Sequence, residues 1–371
     1  MRHRAVIFLA ICLLLLPYAS GAPRIMTLDG KPPIIIAHRG ASAVRPEHTL
    51  ASYRAAVLQG ADYIEPDLVP TKDGALVARH ENEISGTTNV ADLPQFADRK
   101  TSKTIDGVAV TGWFTEDFTL VELKSLRARE RIPAIRPANT AFNDQFEIPT
   151  LQEIIDLAKT LSKQSGRTIG IYPETKHPSY FASIGLPLEK LLVDALHGNG
   201  YRNRTAPVFI QSFEVANLKQ LRRMTKLGLI QLINDKDKPF DFVLANDPRG
   251  YADLVTETGL EEIATYADGV GPNKALIIPR DNSGRLAAAT RLVEWAHKAK
   301  LPVHPWTFRP ENEFLPLEFK RAGPNELPVG KESGDGAAEI RRFLETGIDG
   351  FFTDLPAAGV AALRSSAGKA K

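Results

Sequence analysis

An imidazole and a guanidinium stand directly after an apolar run near the start of this chain of 371 residues. The run Ile34-Ile35-Ile36-Ala37 is typical of a buried strand, and His38, Arg39 and Gly40 follow it. Imidazole exchanges protons near neutral pH, and guanidinium binds anions through paired hydrogen bonds. Glycine permits a tight exit from the strand. We therefore expect this strand to deliver a proton-transfer group and an anion-binding group to one site.

Carboxylates mark two further strands. Glu65 and Asp67 lie two residues apart in a predicted strand, so they share one of its faces. A later strand ends in Glu174 and is followed by Lys176. Three carboxylates without a thiol suit a hard divalent cation such as Mg²⁺ or Ca²⁺. Zinc is less suited to this set, because its sites use more imidazole or thiolate.

A hairpin connects these groups to a second imidazole. The pair Asp73-Gly74 separates two apolar runs, which predicts a two-residue turn between antiparallel strands. In that register Asp67 lies opposite His80, on the face that also carries Glu65. A shift of one residue would turn His80 to the other face.

The elements that must position these groups alternate along the chain. Strands are expected at 34–37, 62–69, 75–80, 168–174, 207–211, 228–233, 268–271, 301–306 and 348–353. Helices are expected at 46–59, 150–163, 187–197, 214–225, 285–299 and 336–345. About eight strand–helix units in one domain predict an α/β fold of the TIM (β/α)8 type, whose parallel strands bring their carboxyl ends to one mouth. Residues 81–148 interrupt the alternation after the hairpin and predict an inserted subdomain, and 309–335 read as a loop.

The N-terminus has the pattern of a secretory signal peptide. Basic residues precede an apolar run at 5–16, and small residues follow Pro17, which predicts a leader over about 1–22 and a single mature domain over 33–365. The run is too short for a comfortable membrane span, although an uncleaved anchor is the alternative. The single cysteine, Cys12, lies inside this leader, so the mature chain has no thiol chemistry.

The balance of charge excludes some partners. Lys and Arg total 46 against 44 Asp and Glu, which gives no support for binding nucleic acid or an anionic membrane. We expect a small-molecule substrate, no nucleic-acid partner and no stable membrane insertion after leader cleavage. A metal site, two cations and two imidazoles together fit phosphodiester cleavage.

The motifs closely resemble the glycerophosphodiester phosphodiesterase family. They occur in family order and span nearly all of residues 34–356. The matching segments are His38-Arg39-Gly40, Pro46-Glu47-His48-Thr49, Glu65-x-Asp67, Lys72-Asp73-Gly74 with His80, Pro173-Glu174-x-Lys176, Gln211-Ser212-Phe213, Val303-His304-Pro305-Trp306-Thr307 and Phe352-Thr353-Asp354. The resemblance implies a TIM barrel, and the leader and long insertion resemble the exported, periplasmic branch.

The resemblance also implies roles for individual residues. His38 and His80 match the catalytic pair, while Glu65, Asp67 and Glu174 match the ligands of one divalent cation, with Ca²⁺ preferred in the exported branch and Mg²⁺ as the alternative. Arg39 and Lys176 match phosphate-binding positions, and Glu47 matches a residue that orients an imidazole. Gln211 and Trp306 are further candidates for substrate contact at the mouth, with core packing as the alternative for Trp306. Asp354 is a candidate partner for a loop or for a histidine.

One departure from the family pattern stands next to His80. The family often has His-Asp followed by Arg-Thr-Thr, whereas this chain has Glu81 after the histidine and Gly86 where the arginine is common. An arginine contribution at that position is therefore not expected here.

The implied reaction is hydrolysis of glycerophosphodiesters, which are deacylated phospholipids, to sn-glycerol 3-phosphate and an alcohol. Two alternatives remain open from the sequence. One is a phospholipase C- or D-like enzyme acting on intact lipid through an apolar rim that contains Trp113, Phe114 and Phe118. The other is a non-catalytic protein that binds glycerophosphodiesters.

Overall fold

A computed structural model of the chain describes residues 27–322 and 329–367. The predicted leader and Cys12 lie outside the described residues. Within them the strands are β1 (Ile34–His38), β2 (Tyr63–Glu65), β3 (Asp67–Pro70), β4 (Leu76–Ala78), β5 (Thr101–Ile105), β6 (Val108–Gly112), β7 (Gly170–Ile171), β8 (Glu174–Thr175), β9 (Phe209–Ser212), β10 (Gly228–Ile233), β11 (Gly269–Pro272) and β12 (Gly350–Thr353). The helices are α1 (Leu50–Leu58), α2 (Leu120–Ser125), α3 (Leu151–Ser165), α4 (Pro178–Ser183), α5 (Leu188–Gly198), α6 (Val215–Met224), α7 (Phe240–Leu244), α8 (Tyr251–Leu254), α9 (Glu257–Ile263), α10 (Leu292–Lys298), α11 (Gly336–Leu344) and α12 (Pro356–Ala367).

The parallel strands close into the predicted TIM barrel. One sheet has the order β12-β1-β2-β7, and a second continues as β11-β10-β9-β8-β3-β4. The seventh strand position is made only of isolated parallel bridges, where Val303 pairs with Val270, Trp306 with Asn273, and Phe308 with Thr353. The prediction of a strand at 301–306 therefore located the right segment, but prolines at 302 and 305 leave it without a continuous hydrogen-bonded ladder.

The hairpin after the second strand differs from the prediction by one residue. Leu68 pairs with Ala78, and Val69 pairs with Val77, so the two-residue turn is wrong. The Thr71 amide donates to the Ala75 carbonyl at 2.9 Å, which closes a three-residue loop with Gly74 at φ +80°. Asp67 consequently faces Arg79, whose amide donates to the Asp67 carbonyl at 3.0 Å.

The slip does not remove His80 from the site. β4 ends at Ala78, so His80 lies beyond the strand and its side chain does not follow the alternation that the register argument assumed. Its imidazole lines the same pocket as Glu65 and Glu174. The prediction that His80 lies near the carboxylates was correct, but the strand register from which it was argued was wrong.

Helix α3 forms where the capping signals predict it. The Thr150 side chain accepts from the Glu153 amide, the Glu153 carboxylate accepts from Thr150, and Gly166 ends the helix at φ +69°. The helix predicted at 285–299 is shorter, since α10 occupies only its last part. Before it the Asp281 carboxylate accepts from the backbone amides of Ser283 and Arg285, which favours a turn over a helix.

Two layers of apolar packing stabilise the barrel. Ile36, Tyr172, Ile230 and Phe352 form a cluster of their own, and the Tyr172 ring packs edge-on against Phe352 at 5.0 Å between centroids. A larger core joins the outer faces of the strands to the surrounding helices. The Tyr172 hydroxyl lies 2.8 Å from Nδ1 of His304, so this buried histidine has the structural role expected of a satisfied imidazole.

The insertion is a packed subdomain between β4 and α3. It contains the β5–β6 hairpin, which turns at Asp106-Gly107, and the short helix α2. Trp113, Phe114 and Phe118 are buried in it. These rings therefore do not form the exposed apolar rim that the lipid-active alternative needs. Among the helices of the described residues, none has both the length and the apolar character needed to span a bilayer.

Candidate active site

The strand register brings three carboxylates to the carboxyl end of the barrel. β1 and β2 pair His38 with Glu65, β3 and β8 pair Asp67 with Glu174, and Gln211 on β9 pairs with Glu174. Glu65, Asp67 and Glu174 are buried, and each offers an oxygen within 4.8 Å of the others. This is the oxygen-only donor set that Ca²⁺ or Mg²⁺ prefers.

The electrostatics of this triad fit a cation. Burial raises the pKa of Glu65 well above its usual value, and repulsion from Asp67 and Glu174 adds to it. Burial likewise raises the pKa of Glu174 to about 8, against the effect of Lys176. Burial also opposes ionisation of Asp67, but Lys176 and Arg39 outweigh it and hold the pKa of Asp67 well below its usual range. Three buried carboxylates thus repel one another, and a divalent cation between them would relieve that repulsion.

Two cationic side chains flank the triad. Lys176 Nζ lies 2.9 Å from Glu174 Oε1, and Arg39 Nε lies 3.3 Å from Asp67 Oδ2. Both residues line the same pocket as His38 and His80. They can therefore meet an anionic group that approaches the triad.

The turn after β1 is shaped around this site. Arg39 lies in the left-handed region at φ +60°, and its backbone amide donates to Glu65 Oε2 at 2.7 Å. Gly40 follows at φ +88°, and a Cβ there would lie 2.7 Å from the Ser52 carbonyl carbon. The expectation that glycine permits this exit is borne out, because any side chain would collide with helix α1.

His38 is held by a carboxylate that directly follows the last strand of the barrel. Its Nδ1 lies 2.6 Å from Asp354 Oδ1, while Asp354 Oδ2 accepts from Arg136 at 2.5 Å and from Arg309 at 3.1 Å. Burial opposes ionisation of Asp354, but Arg136, His38 and Arg309 outweigh it and hold its pKa well below the usual value. Asp354 therefore fixes the orientation of His38 and leaves Nε2 for the pocket.

His80 is held by a chain of alternating carboxylates and imidazoles. Its Nδ1 lies 2.7 Å from Glu81 Oε1, and Glu81 Oε2 lies 2.9 Å from Nε2 of His177. The other nitrogen of His177 lies 2.7 Å from Asp106 Oδ2, at the turn of the inserted hairpin. Glu81, which departs from the family pattern, is thus the residue that connects His80 to the insertion.

Both pocket histidines are neutral near pH 7. Burial, with a smaller effect from the charge of Arg39, lowers the pKa of His38 to about 4. Burial lowers the pKa of His80 to about 3, and Arg39 and Lys176 lower it further. Lys176 Nζ lies 3.3 Å from His80 Nε2, so that nitrogen accepts and Nδ1 carries the proton towards Glu81.

The pocket at the mouth is small and mixed in character. Its volume is about 60 Å³. Gln211 lies in it and donates from Nε2 to Glu65 Oε1 at 3.1 Å. Trp306 also lines it, and its ring packs edge-on against Phe213 at 5.7 Å between centroids. The structure therefore places both of these predicted contact residues at the mouth.

Glu47 differs from the sequence-based interpretation, and the contacts of His48 were not part of it. Glu47 contacts no imidazole in the described residues: its carboxylate lies 3.2 Å from Arg39 Nη1 and 2.8 Å from Arg131 Nε. It therefore orients a guanidinium. His48, to which the motif assigned no individual role, is fully buried, with Nε2 at 2.9 Å from Asp67 Oδ2 and Nδ1 at 2.9 Å from the Tyr53 hydroxyl.

Several residues around the site were not assigned from the sequence. Glu81 and His177 stand beside assigned residues, and the Asp106-Gly107 pair is a hairpin signal that predicts the turn carrying Asp106. Arg136 had no local signal, because nothing in its neighbourhood indicates a contact with residue 354. Only the folded insertion brings it there.

Comparison with known proteins agrees with this geometry. Residues 38–358 match the glycerophosphoryl diester phosphodiesterase family. The glycerophosphodiester phosphodiesterase GDPD6 of Arabidopsis thaliana is 37% identical over 336 residues, covering 87% of this chain and 83% of its own. A glycerophosphodiester phosphodiesterase of Haemophilus influenzae is 31% identical over 352 residues, covering 89% and 90%. A phosphodiesterase of Oleispira antarctica, solved with the product sn-glycerol-3-phosphate, shares the fold with a TM-score of 0.56 and 18% identity, covering 91% of this chain and all of its own.

Proposed function

The chain belongs to the glycerophosphoryl diester phosphodiesterase family, and from this premise we propose that it hydrolyses glycerophosphodiesters to sn-glycerol 3-phosphate and an alcohol. One observation carries the proposal. A buried carboxylate triad lies at one pocket, which two of its members line together with two cations and two imidazoles, each held by a carboxylate. That set matches the needs of cleaving a P–O bond, which are anion binding, charge neutralisation and proton transfer.

Glu65, Asp67 and Glu174 are proposed to hold one divalent cation. When bound, such an ion polarises the phosphoryl oxygens and neutralises charge that develops on them. We assign Ca²⁺ as the first choice, because flexible carboxylate sets without imidazole suit it, with Mg²⁺ as the alternative. The mutual repulsion of the three buried carboxylates supports a cation at this point.

Arg39 and Lys176 are proposed to bind the phosphodiester. Each already contacts a carboxylate of the triad, so the substrate anion would lie between cations whose positions are fixed before it arrives. Gln211 and Trp306 would contact the glycerol end of the substrate from the β9 and seventh-strand sides of the pocket.

His38 and His80 are proposed to share the proton transfers. Each has Nδ1 against a carboxylate, and each lines the pocket, where a base is needed. Nε2 of His80 lies 3.3 Å from Lys176 Nζ, which keeps that nitrogen unprotonated until substrate binds. One imidazole accepts a proton from the attacking hydroxyl and the other donates one to the leaving alkoxide. The negative phosphodiester raises the pKa of a neighbouring imidazole, so binding itself helps to protonate the donor.

The predicted leader supports an exported protein, with the periplasm as the proposed location. The proposed domain organisation is the leader at 1–22 and one barrel domain at 33–365, with the insertion at about 81–148. The lipid-active alternative loses its support, because the three aromatic residues offered for a membrane rim are buried. A non-catalytic binding role does not explain why both imidazoles line the pocket with Nδ1 held by a carboxylate.

The test is release of glycerol 3-phosphate from glycerophosphocholine by the purified mature chain. We expect activity to vanish with EDTA and to return with Ca²⁺, or less fully with Mg²⁺. Activity that persists after complete metal removal would contradict the metal role. Absence of hydrolysis under every metal condition would contradict the proposed reaction.

A further inference from the structure

A second and larger cavity shares a wall with the catalytic pocket. Its volume is about 580 Å³, and both cavities are lined by Glu174, Lys176 and Phe213. A phosphodiester bound at Lys176 has two arms, and a pocket of about 60 Å³ leaves little room for both. The larger cavity is therefore the place where the leaving alcohol can extend.

A buried carboxylate without a cationic partner lines this cavity. Glu214 is 4% exposed, and within the described residues its carboxylate accepts only from the amide and hydroxyl of Ser179. Buried carboxylates in proteins are ordinarily paired with a cation or a metal. Burial raises the pKa of Glu214 to about 7, and the neighbouring charges of Asp241 and Asp106 contribute to the rise. A cation in the cavity would supply the missing partner.

Two further carboxylates on the cavity wall have unused oxygens. Asp237 is exposed, and its carboxylate has no partner in the described residues. Asp106 uses one oxygen for His177, while its other oxygen is buried without a hydrogen bond. These carboxylate oxygens can accept hydrogen bonds, and no donor of the described residues contacts them.

The cationic side chains of the wall are already engaged. Lys176 contacts Glu174, His177 lies between Asp106 and Glu81, and Lys238 donates to the Asp247 carbonyl at 2.9 Å. Lys176 and His177 therefore compensate other carboxylates, and Lys238 is held on a neutral carbonyl. None of the three contacts the carboxylate of Glu214 or Asp237 in the described residues.

Aromatic rings complete the wall. Phe213 packs edge-on against Tyr251 at 6.2 Å between centroids, and Phe240 also lines the cavity. Burial raises the pKa of the Tyr251 phenol, and the charges of Asp241 and Glu214 raise it further, which reflects a negative potential at this ring. Ring faces beside carboxylates are the environment that alkylammonium groups prefer.

We propose that this cavity is the subsite for the leaving alcohol and that it selects alcohols bearing an ammonium group, of the choline and ethanolamine class, over neutral polyols. The inference rests on the proposed function, because it assigns the second arm of the same substrate. Glu214 is its main anchor, with Asp237 at the open side and the rings of Tyr251 and Phe240 in the same wall, while Lys176 Nζ already lies over the Phe213 ring at 5.5 Å.

The test compares kcat/KM for glycerophosphocholine and for glycerophosphoglycerol at pH 8, where Glu214 is ionised. We expect the intact chain to favour the cationic substrate about tenfold, and Glu214→Gln to remove most of that ratio while keeping the contacts to Ser179. Asp237→Asn should lower the ratio less, because its carboxylate is exposed. The control is Glu261→Gln, an exposed glutamate that lines neither cavity, which should keep the full ratio.

A binding measurement separates this inference from the reaction itself. Choline chloride is titrated calorimetrically into EDTA-treated protein, against an NaCl blank, with a dissociation constant of about 1 mM expected and weaker binding in Glu214→Gln. Equal kcat/KM for both substrates, unchanged by Glu214→Gln, would overturn the subsite and leave the proposed reaction standing. Glu214-dependent choline binding without hydrolysis of either diester would support the subsite and overturn the reaction. Neither hydrolysis nor binding would overturn both.

Discussion

The two pocket histidines make the same kind of contact, because Nδ1 of each lies against a carboxylate. Each has Nδ1 within 2.7 Å of a carboxylate oxygen, from Asp354 for His38 and from Glu81 for His80. The carboxylate selects the tautomer that leaves Nε2 as the reactive nitrogen. The two carboxylates differ in their second partner. Asp354 also contacts the guanidinium groups of Arg136 and Arg309, whereas Glu81 also contacts the imidazole of His177.

Removing either imidazole should abolish most of the activity without unfolding the chain. We expect His38→Ala and His80→Ala each to lower kcat on glycerophosphocholine by about 10²- to 10⁴-fold, as for other general acids and bases. Steady-state kinetics measures the loss, and the thermal melting curve verifies folding. The control is His197→Ala, whose imidazole contacts the Thr225 hydroxyl outside the pocket. Near-normal turnover in either pocket variant would remove its assigned role.

At the scale of elements, one contact joins the inserted hairpin to the barrel. The turn between β5 and β6 carries Asp106, and the segment after β8 carries His177, which also contacts Glu81. Burial opposes protonation of His177, but the hydrogen bonds that it donates to Asp106 and Glu81 outweigh burial and raise the pKa of His177 to about 9. The hairpin is thus fixed to the barrel by an imidazolium at neutral pH.

This contact makes the stability of the fold depend on pH in the alkaline range. The folded pKa of His177 lies above the unfolded value of about 6.5, so its contribution is complete below pH 6.5 and is lost as the pH rises through about 9. Integrated over that interval, the contribution is at most about 3 kcal/mol.

Urea unfolding of the intact chain and of His177→Gln at pH 6 and pH 9.5 tests this dependence. The difference in unfolding free energy between the two should be large at pH 6 and should shrink at pH 9.5. His197→Gln is the control, since that imidazole has no ion pair in the described residues. A difference that does not change with pH would contradict the raised pKa of His177.

At the scale of the whole molecule, distant segments meet behind the active site. Arg136 from the insertion contacts Asp354 on the loop after β12 and, through Nε at 2.6 Å, Glu311 on the loop after the seventh strand position. Removing one partner from such a buried network leaves an uncompensated charge. The insertion is therefore part of the framework that holds His38, in addition to covering the barrel.

Metal binding should stabilise this framework as a whole. Under the proposed assignment Ca²⁺ would bind the folded triad and relieve its repulsion, so we expect the melting temperature to rise on adding Ca²⁺ to EDTA-treated protein. The gain should be about 3 to 4 kcal/mol at 100 to 1,000 times the dissociation constant. Calorimetry measures the shift. Glu174→Gln should lose most of the shift, whereas the exposed Asp98→Asn should keep it. A melting temperature that is independent of Ca²⁺ and Mg²⁺ would contradict a cation at the triad.

Local sequence patterns indicate most of the barrel strands, their order and the chemistry at their ends, but not the hairpin of β5 and β6. Apolar β-branched runs, capping boxes and strand–helix alternation depend on local side chains, so they predict β1, α3 and the barrel before any contact is known. The parallel arrangement then requires that Glu65, Asp67 and Glu174 meet, because every strand of such a barrel ends at the same mouth.

The contacts that hold those groups in place depend on tertiary packing. The hairpin register shifted by one residue because the Thr71 hydroxyl closes a larger loop with Asp73 and Ala75, an interaction that the Asp-Gly signal does not encode. The contacts of His48 with Asp67 and of Arg136 with Asp354 join residues that are 19 and 218 positions apart. Such pairs depend on how elements pack in three dimensions, and no local propensity or spacing specifies them.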